Sequence, residues 1–196
     1  MPYFEKIPGE RIYLSPIDPD DLETYVKWLN DIEVTRWLGG FSGMTTLLNE
    51  RAWIEENTKK TDCYQFAIVL REDDNARGGR LIGGVGLMDL NQLHQKATLG
   101  IFIGEAEDRG KGYGAEAIRL LLEYGFRWLG LRNIDLHVHS DNARAIACYK
   151  KAGFKECGRR HGVVFTDGQW HDDVQMEALS MSSGKNNSRD TRQTHE

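Results

Sequence analysis

Glu107-Asp108-Arg109-Gly110-Lys111-Gly112-Tyr113-Gly114-Ala115-Glu116-Ala117 joins the apolar run 97–104 to a long amphipathic segment. A strand that gives way to a helix through alternate glycines leaves backbone N–H groups unpaired at the helix N-terminus. The helix macrodipole favours an anion there. Arg109 and Lys111 add positive charge, and the ligand suited to such a loop is a phosphate or pyrophosphate. Downstream, Glu116, Arg119, Glu123 and Arg127 recur at spacings of three and four, a stripe that predicts a solvent face. Ala117, Ile118, Leu121, Leu122, Tyr124, Gly125 and Trp128 form the expected buried face. Residues 133–139 then read as a short strand, closing one β-α-β crossover.

Outward from this crossover the chain reads as hairpins and short helices. Residues 11–17 alternate like a strand stopped by Pro16 and Pro19. Asp18 or Asp20 caps a helix through Leu22, Tyr25, Val26, Trp28 and Leu29. A helical piece from Val34 to Leu38 is interrupted by Gly39, Gly40 and Gly43, and a helix resumes from Thr46 to Asn57. Residues 64–70 and 81–90 read as a hairpin around the polar turn 72–79. Residues 140–151 form a helix ended by Gly153, a residue suited to a left-handed C-terminus. Strands at 154–158 and 173–179 follow, with Thr166-Asp167-Gly168 as a turn. One crossover among hairpins predicts an α+β fold: a mixed, mostly antiparallel sheet with helices on its faces, not a doubly wound parallel sheet.

The chain of 196 residues suits one domain, expected over residues 1–181. Residues 182–196 are polar, almost without large apolar residues, and read as a disordered tail. The formal net charge of −5 excludes a general nucleic-acid binder. It suits a cationic substrate such as an amine, and equally an ordinary soluble protein. No apolar run reaches the length of a membrane span, and the first residues carry no signal-peptide pattern. Cys63, Cys148 and Cys157 have an odd count and no metal-ligand spacing, so a reduced, cytoplasmic protein without a metal is expected.

Spacing discriminates among phosphate loops. A P-loop requires Ser or Thr after Lys111, where Gly112 stands. The dinucleotide fingerprint requires Gly-x-Gly-x-x-Gly, and here the third glycine comes one residue early. Arg109-x-x-Gly112-x-Gly114 instead resembles the pyrophosphate loop of the GNAT N-acetyltransferases. Asn142-Ala143-Arg144-Ala145-Ile146-Ala147-Cys148-Tyr149, running on to Gly153-Phe154, is similar to that family's second coenzyme motif. Asp167-Gly168-Gln169-Trp170-His171-Asp172 with Met176 resembles the C-terminal hairpin of its ribosomal-protein and polyamine acetyltransferase branch. The resemblance covers about residues 10 to 180. It implies a single GNAT domain with a six- to seven-stranded sheet, a splayed parallel central strand pair and helices on both faces.

The resemblance further implies acetyl-CoA as donor, with coenzyme A as product and no metal. Backbone amides of Arg109, Gly110, Lys111, Gly112, Tyr113 and Gly114 would cradle the pyrophosphate. Ile101, Phe102 and Ile103 would bond the pantetheine arm and polarise the thioester carbonyl. Asn142 and Tyr149 lie two helical turns apart, about 10 Å, with Ala145 between them on one stripe. The family places a tyrosine like Tyr149 by the coenzyme sulfur as a general acid. The plainer alternatives are a helix-terminal Asn142 and a core Tyr149. The resemblance assigns no base, and the candidate proton acceptors for the amine are Glu105, His137, His139 and Asp89. The acceptor pocket is expected from residues 32–41 and 163–171, with Trp37, Phe41, Phe165 and Trp170 as an aromatic wall and Glu33 or Asp31 receiving a cation. Arg36-Trp37 also resembles an element shaping the acceptor entrance. The expected function is acetyl transfer to a primary amine: a polyamine, amino sugar, aminoglycoside or protein N-terminus. A non-catalytic acyl-CoA sensor is the alternative. The expected assembly is a homodimer, without nucleic-acid or membrane partners.

Overall fold

Residues 12–16, 64–70 and 80–90 carry apolar residues on both faces, so this part of the sheet must be covered on both sides. In the computed structural model the described residues are 2–38, 43–72 and 77–180. Phe41, the middle of the 72–79 turn and the 182–196 tail therefore lie outside the described residues. Eight strands form one sheet: β1 (Ile7–Pro8), β2 (Ile12–Pro16), β3 (Tyr64–Leu70), β4 (Arg80–Asn91), β5 (Lys96–Ile103), β6 (Asn133–His139), β7 (Lys155–Thr166) and β8 (Gln169–Leu179). Their spatial order is β1-β2-β3-β4-β5-β6-β8-β7. The count exceeds seven because the two residues Ile7–Pro8 pair with Tyr13 and Leu14. The last two strands extend beyond the expected 154–158 and 173–179, since β7 continues through an irregularity between Arg160 and Val164.

Helices α1 (Leu22–Leu29), α2 (Ile32–Thr35) and α3 (Leu47–Asn57) precede β3, while α4 (Tyr113–Arg127) and α5 (Ala143–Ala152) flank β6 in sequence. Alternation divides β2 and β3 between two cores. Ile12, Leu14 and Ile68 join the α4 side with Ile118, Leu121 and Met176. Tyr13, Ala67 and Val69 join Tyr25, Trp28 and Val34 on the α1 side.

Two features of α4 depart from the expected amphipathic pattern. Glu116 is buried, not solvent-facing. It accepts the backbone N–H of Arg11 (2.9 Å) and of Ile12 (3.3 Å), and it pairs with the Arg11 guanidinium. Trp128 is 71% exposed. The chain reverses at Gly130 (φ 67°), and Leu131 returns to the core, its N–H on the Gly125 carbonyl. Leu131 and Ile134 thus fill the space beside Gly125.

The central pair decides where a ligand can enter. β5 and β6 run parallel but pair only over Lys96–Thr98 and Asn133–Asp135. The Thr98 hydroxyl donates to the Asp135 carboxylate at 2.8 Å where pairing stops. Beyond it, residues 99–103 stay with β4 and residues 136–139 stay with β8, so a cleft opens between the strands.

Candidate active site

The glycine loop closes one end of the cleft. Gly110 and Gly112 have φ of 78° and 90°, values open to glycine at little steric cost. Gly112 caps α4 without a side-chain bond, and the Glu116 N–H takes its carbonyl. The N–H groups of Tyr113, Gly114 and Ala115, in the first turn, have no intrahelical acceptor. The loop is held from behind. Arg80 makes a bidentate pair with buried Asp108 (2.8 and 3.1 Å), and Arg11 donates to the Lys111 carbonyl (2.9 Å). Arg109 does not point its charge at the cradle. Its guanidinium turns back onto the carbonyls of Ile103 (3.1 Å) and Gly104 (2.6 Å).

A cavity of about 340 Å³ lies in front of this loop. Ile101, Phe102, Ile103, Arg109, Gly110, Gly112, Gly114, Asn142, Ala145 and Tyr149 line it, as does Glu33. Lys111 and Tyr113 do not, and Tyr113 lies beneath the Arg11 guanidinium. The Gly104 N–H on the Ile82 carbonyl sets the β4–β5 ladder. By antiparallel alternation the backbone groups of Phe102 face β4, whereas those of Ile101 and Ile103 face the cleft. Asn142 caps α5, its carbonyl oxygen accepting the Ala145 N–H at 3.1 Å. Arg144 and Lys151 supply cavity-lining charge that the sequence motif did not single out.

On the other side of the cleft lies a larger cavity of about 750 Å³, walled by α1, α3, the segment after α2, α5 and β3 to β8. Trp37, Leu38, Ile101, Phe102, His137 and Tyr149 line both cavities. Tyr149 packs edge-on to Phe154 (6.0 Å), and burial pushes its phenol up to about 12. Phe102 packs edge-on against Tyr25 and Trp28. Arg36 binds Asp167 of the β7–β8 turn and lies over Trp37, tying the segment after α2 to the hairpin.

Three titratable groups mark the larger cavity. Glu50 of α3 is 7% exposed, and burial raises its carboxyl above the usual range. His137 Nδ1 lies 2.8 Å from Asp173 Oδ2. His139 is buried against Trp37, and burial lowers its proton affinity.

Other expected residues stand elsewhere. Glu105 lines neither cavity: the Lys27 ammonium (2.6 Å) and Trp28 indole N–H (2.9 Å) hold its carboxyl below the usual range. Asp89 is exposed at a β-bulge. Asp31 caps α2, and Glu33 pairs with Arg36. Phe165 lines the larger cavity, but Trp170 is exposed and packs on Phe165 at 5.1 Å. Glu50 and Asp173 were missed, because a lone Glu in a helix and an Asp in a strand have no spacing signature. Among the described residues no three His, Cys, Asp or Glu side chains gather as a metal site.

Comparison with known proteins accords with this geometry. The acetyltransferase (GNAT) domain family matches residues 11–155. The N-acetyltransferase 9-like protein of Caenorhabditis briggsae is 30% identical over 158 residues, covering 76% of this chain and 77% of that protein. A spermidine N(1)-acetyltransferase of Vibrio cholerae is 36% identical over 135 residues, covering 65% of this chain and 78% of the relative. The crystal structure of spermidine N-acetyltransferase from Vibrio cholerae in complex with CoA and spermine has the same fold. Its TM-score is 0.78 at 24% identity, over 87% of this chain and 96% of that one.

Proposed function

The chain belongs to the GNAT acetyltransferase family, and from that premise we propose that it acetylates a primary amine of a small molecule carrying a second cationic group. The observation that carries this reading is the meeting of two cavities, one on each side of the β5–β6 cleft, at Tyr149. A donor and an acceptor entering from opposite sides would then react without leaving the protein, which gives the entropic advantage of a ternary complex.

The smaller cavity fits acetyl-CoA, the family's donor. Positive-φ glycines and the free amides of the α4 first turn suit a pyrophosphate, and Arg144 and Lys151 suit further phosphate charge. The Ile103 carbonyl is taken by Arg109. The remaining inward groups, the N–H and carbonyl of Ile101 and the N–H of Ile103, suit an amide-bearing arm, the N–H groups suiting a developing oxyanion. Bound acetyl-CoA supplies the acyl group as a thioester. Tyr149 remains protonated through the neutral range and donates its phenolic proton to the departing sulfur.

The larger cavity suits the acceptor. Its walls are largely aromatic and aliphatic, from Tyr25, Trp53, Phe66 and Trp37, and Glu50 faces it. A buried carboxylate is costly without a partner, and an ammonium group on the acceptor supplies one. The spermidine acetyltransferase relative acts on a substrate of this class.

A thiol-release assay tests the function. Purified protein with acetyl-CoA is offered monoamines, diamines, polyamines, amino sugars and short peptides with free N-termini. Release of CoA thiol with diamines or polyamines, and mass spectrometry showing one added acetyl group, is the expected result. Tight acetyl-CoA binding without turnover on any amine would instead identify an acyl-CoA sensor.

A further inference from the structure

The ammonium form of an amine dominates near neutral pH, so an acetyltransferase needs a group that removes a proton before attack. We infer that His137 Nε2 is that proton acceptor and that Asp173 is its positioning residue, an inference that rests on the transferase reading above.

His161 and His171 also pair with aspartates, but neither lines either of the two cavities. His137 lines both cavities and is therefore at the cleft where donor and acceptor meet. Its Nδ1 lies 2.8 Å from Asp173 Oδ2, and the Asp173 side chain is only 9% exposed while that of His137 is 44% exposed. A carboxylate accepting from Nδ1 fixes the tautomer that carries its proton there, leaving the Nε2 lone pair for the incoming nitrogen. It also stabilises the imidazolium that forms. His139 lies on the same face two residues on, but its ring is buried against Trp37, with neither nitrogen partnered among the described residues. Glu105 is committed to Lys27 and Trp28.

Acetylation of an ammonium group removes two protons from the nitrogen. The new C–N bond forms as the C–S bond breaks. One proton leaves the ammonium through His137 to solvent before attack. As the C–S bond breaks, Tyr149 gives its phenolic proton to sulfur and the second proton leaving the nitrogen replaces it, so CoA departs as the thiol and Tyr149 ends protonated. Other charged and titratable groups that line the two cavities with His137 include His139 from β6, Arg160 from β7, Tyr149, Arg144 and Lys151 from α5, Glu50 from α3 and Glu33 from α2, while Asp135 stands two residues before His137 on β6. Asp135 is engaged by the Thr98 hydroxyl.

The test compares kcat/KM for the amine across pH in the wild-type protein, His137→Gln, His137→Ala and Asp173→Asn. General-base loss predicts a fall of roughly 100-fold or more in H137Q at neutral pH. CoA affinity measured by calorimetry should fall far less than kcat/KM in every variant, because the glycine loop and α5 are untouched even though His137 lines the donor cavity. The acidic limb of the wild-type profile should vanish in H137Q, and added imidazole should restore part of the H137A rate. D173N should keep an acidic limb at a rate reduced roughly tenfold. An H137Q rate within about threefold of wild type, with the same acidic limb, overturns the assignment. So does an H137A loss that imidazole leaves untouched while CoA affinity is retained. A wild-type protein that turns over no amine defeats the transferase reading itself, so the two failures are distinct.

Discussion

The two cavities meet at Tyr149, yet they are assembled in opposite ways. The smaller one is drawn mainly from one stretch of the chain: the end of β5, the glycine loop and, after the crossover, α5. Much of what it offers is backbone: positive-φ glycines, first-turn amides and the cleft-facing groups of β5. The larger one is drawn from α1, α3, the segment after α2, α5 and β3 to β8, and it offers side chains. A backbone cradle constrains spacing along the chain. A side-chain chamber constrains only where distant residues converge, so family members can share the first and differ in the second.

Substitutions should separate the two halves. The largest effect is expected at the junction: Tyr149→Phe removes the proposed acid and should lower kcat by roughly 100-fold or more. Coenzyme affinity should change by less than about twofold, since the ring and its contact with Phe154 remain. Stopped-flow or steady-state thiol release at saturating acetyl-CoA reads this, and an unchanged kcat removes Tyr149 from the acid role.

Next comes the donor half. Gly112→Val places a branched side chain at φ 90°, with its Cβ 3.3 Å from Arg11 Nη2. Backbone strain of about 1–3 kcal/mol, if released by distorting the cradle, weakens coenzyme binding roughly 10- to 100-fold. Calorimetry with CoA measures it, and undiminished affinity would sink the loop assignment.

On the acceptor side, Glu50→Gln should raise KM for a diamine by about tenfold, the equivalent of about 1.4 kcal/mol. KM for a monoamine of matched length and Kd for CoA should be unaltered. An equal shift for both amines would show that Glu50 shapes the chamber without reading charge.

The smallest functional effect is expected behind the loop. Burial alone would raise the Glu116 carboxyl, but the Arg11 and Ile12 N–H groups and the Arg11 guanidinium outweigh it and hold it below its usual range. A carboxyl depressed on folding stabilises the fold fully above its unfolded pKa, about 4.3. That stabilisation is lost as pH falls through the lower folded value. Glu116→Gln should therefore lower the melting temperature at pH 7, and the gap to wild type should narrow below pH 4. A pH-independent gap would show that packing, not charge, makes the contact matter.

The exceptions within α4 show how far sequence reading extends. Glu116 fits a charged stripe by spacing, yet the stripe faces the β2 backbone at its first turn. Two strand-end N–H groups and Arg11, more than 100 residues away in sequence, turn a surface glutamate into a buried anchor. Arg109 fits the loop motif by position, but its side chain serves carbonyls of the preceding strand end. The charge that the motif marks at Arg109 is therefore spent on the fold. Glu105 sits beside the loop in sequence, and Trp28 and Lys27 of α1 reach it first.

By itself, the sequence determined the mixed sheet, the crossover and the donor family, because alternation, glycine spacing and helix periodicity are local and are imposed by backbone geometry. It placed Tyr149 and Asn142 on one stripe for the same reason. Only the tertiary structure decided which carboxylate faces the larger cavity, which histidine meets an aspartate and which charges are already spent on the fold. Those outcomes depend on burial and on partners brought together from β2, α1, α3 and β8, and no spacing along the chain encodes them.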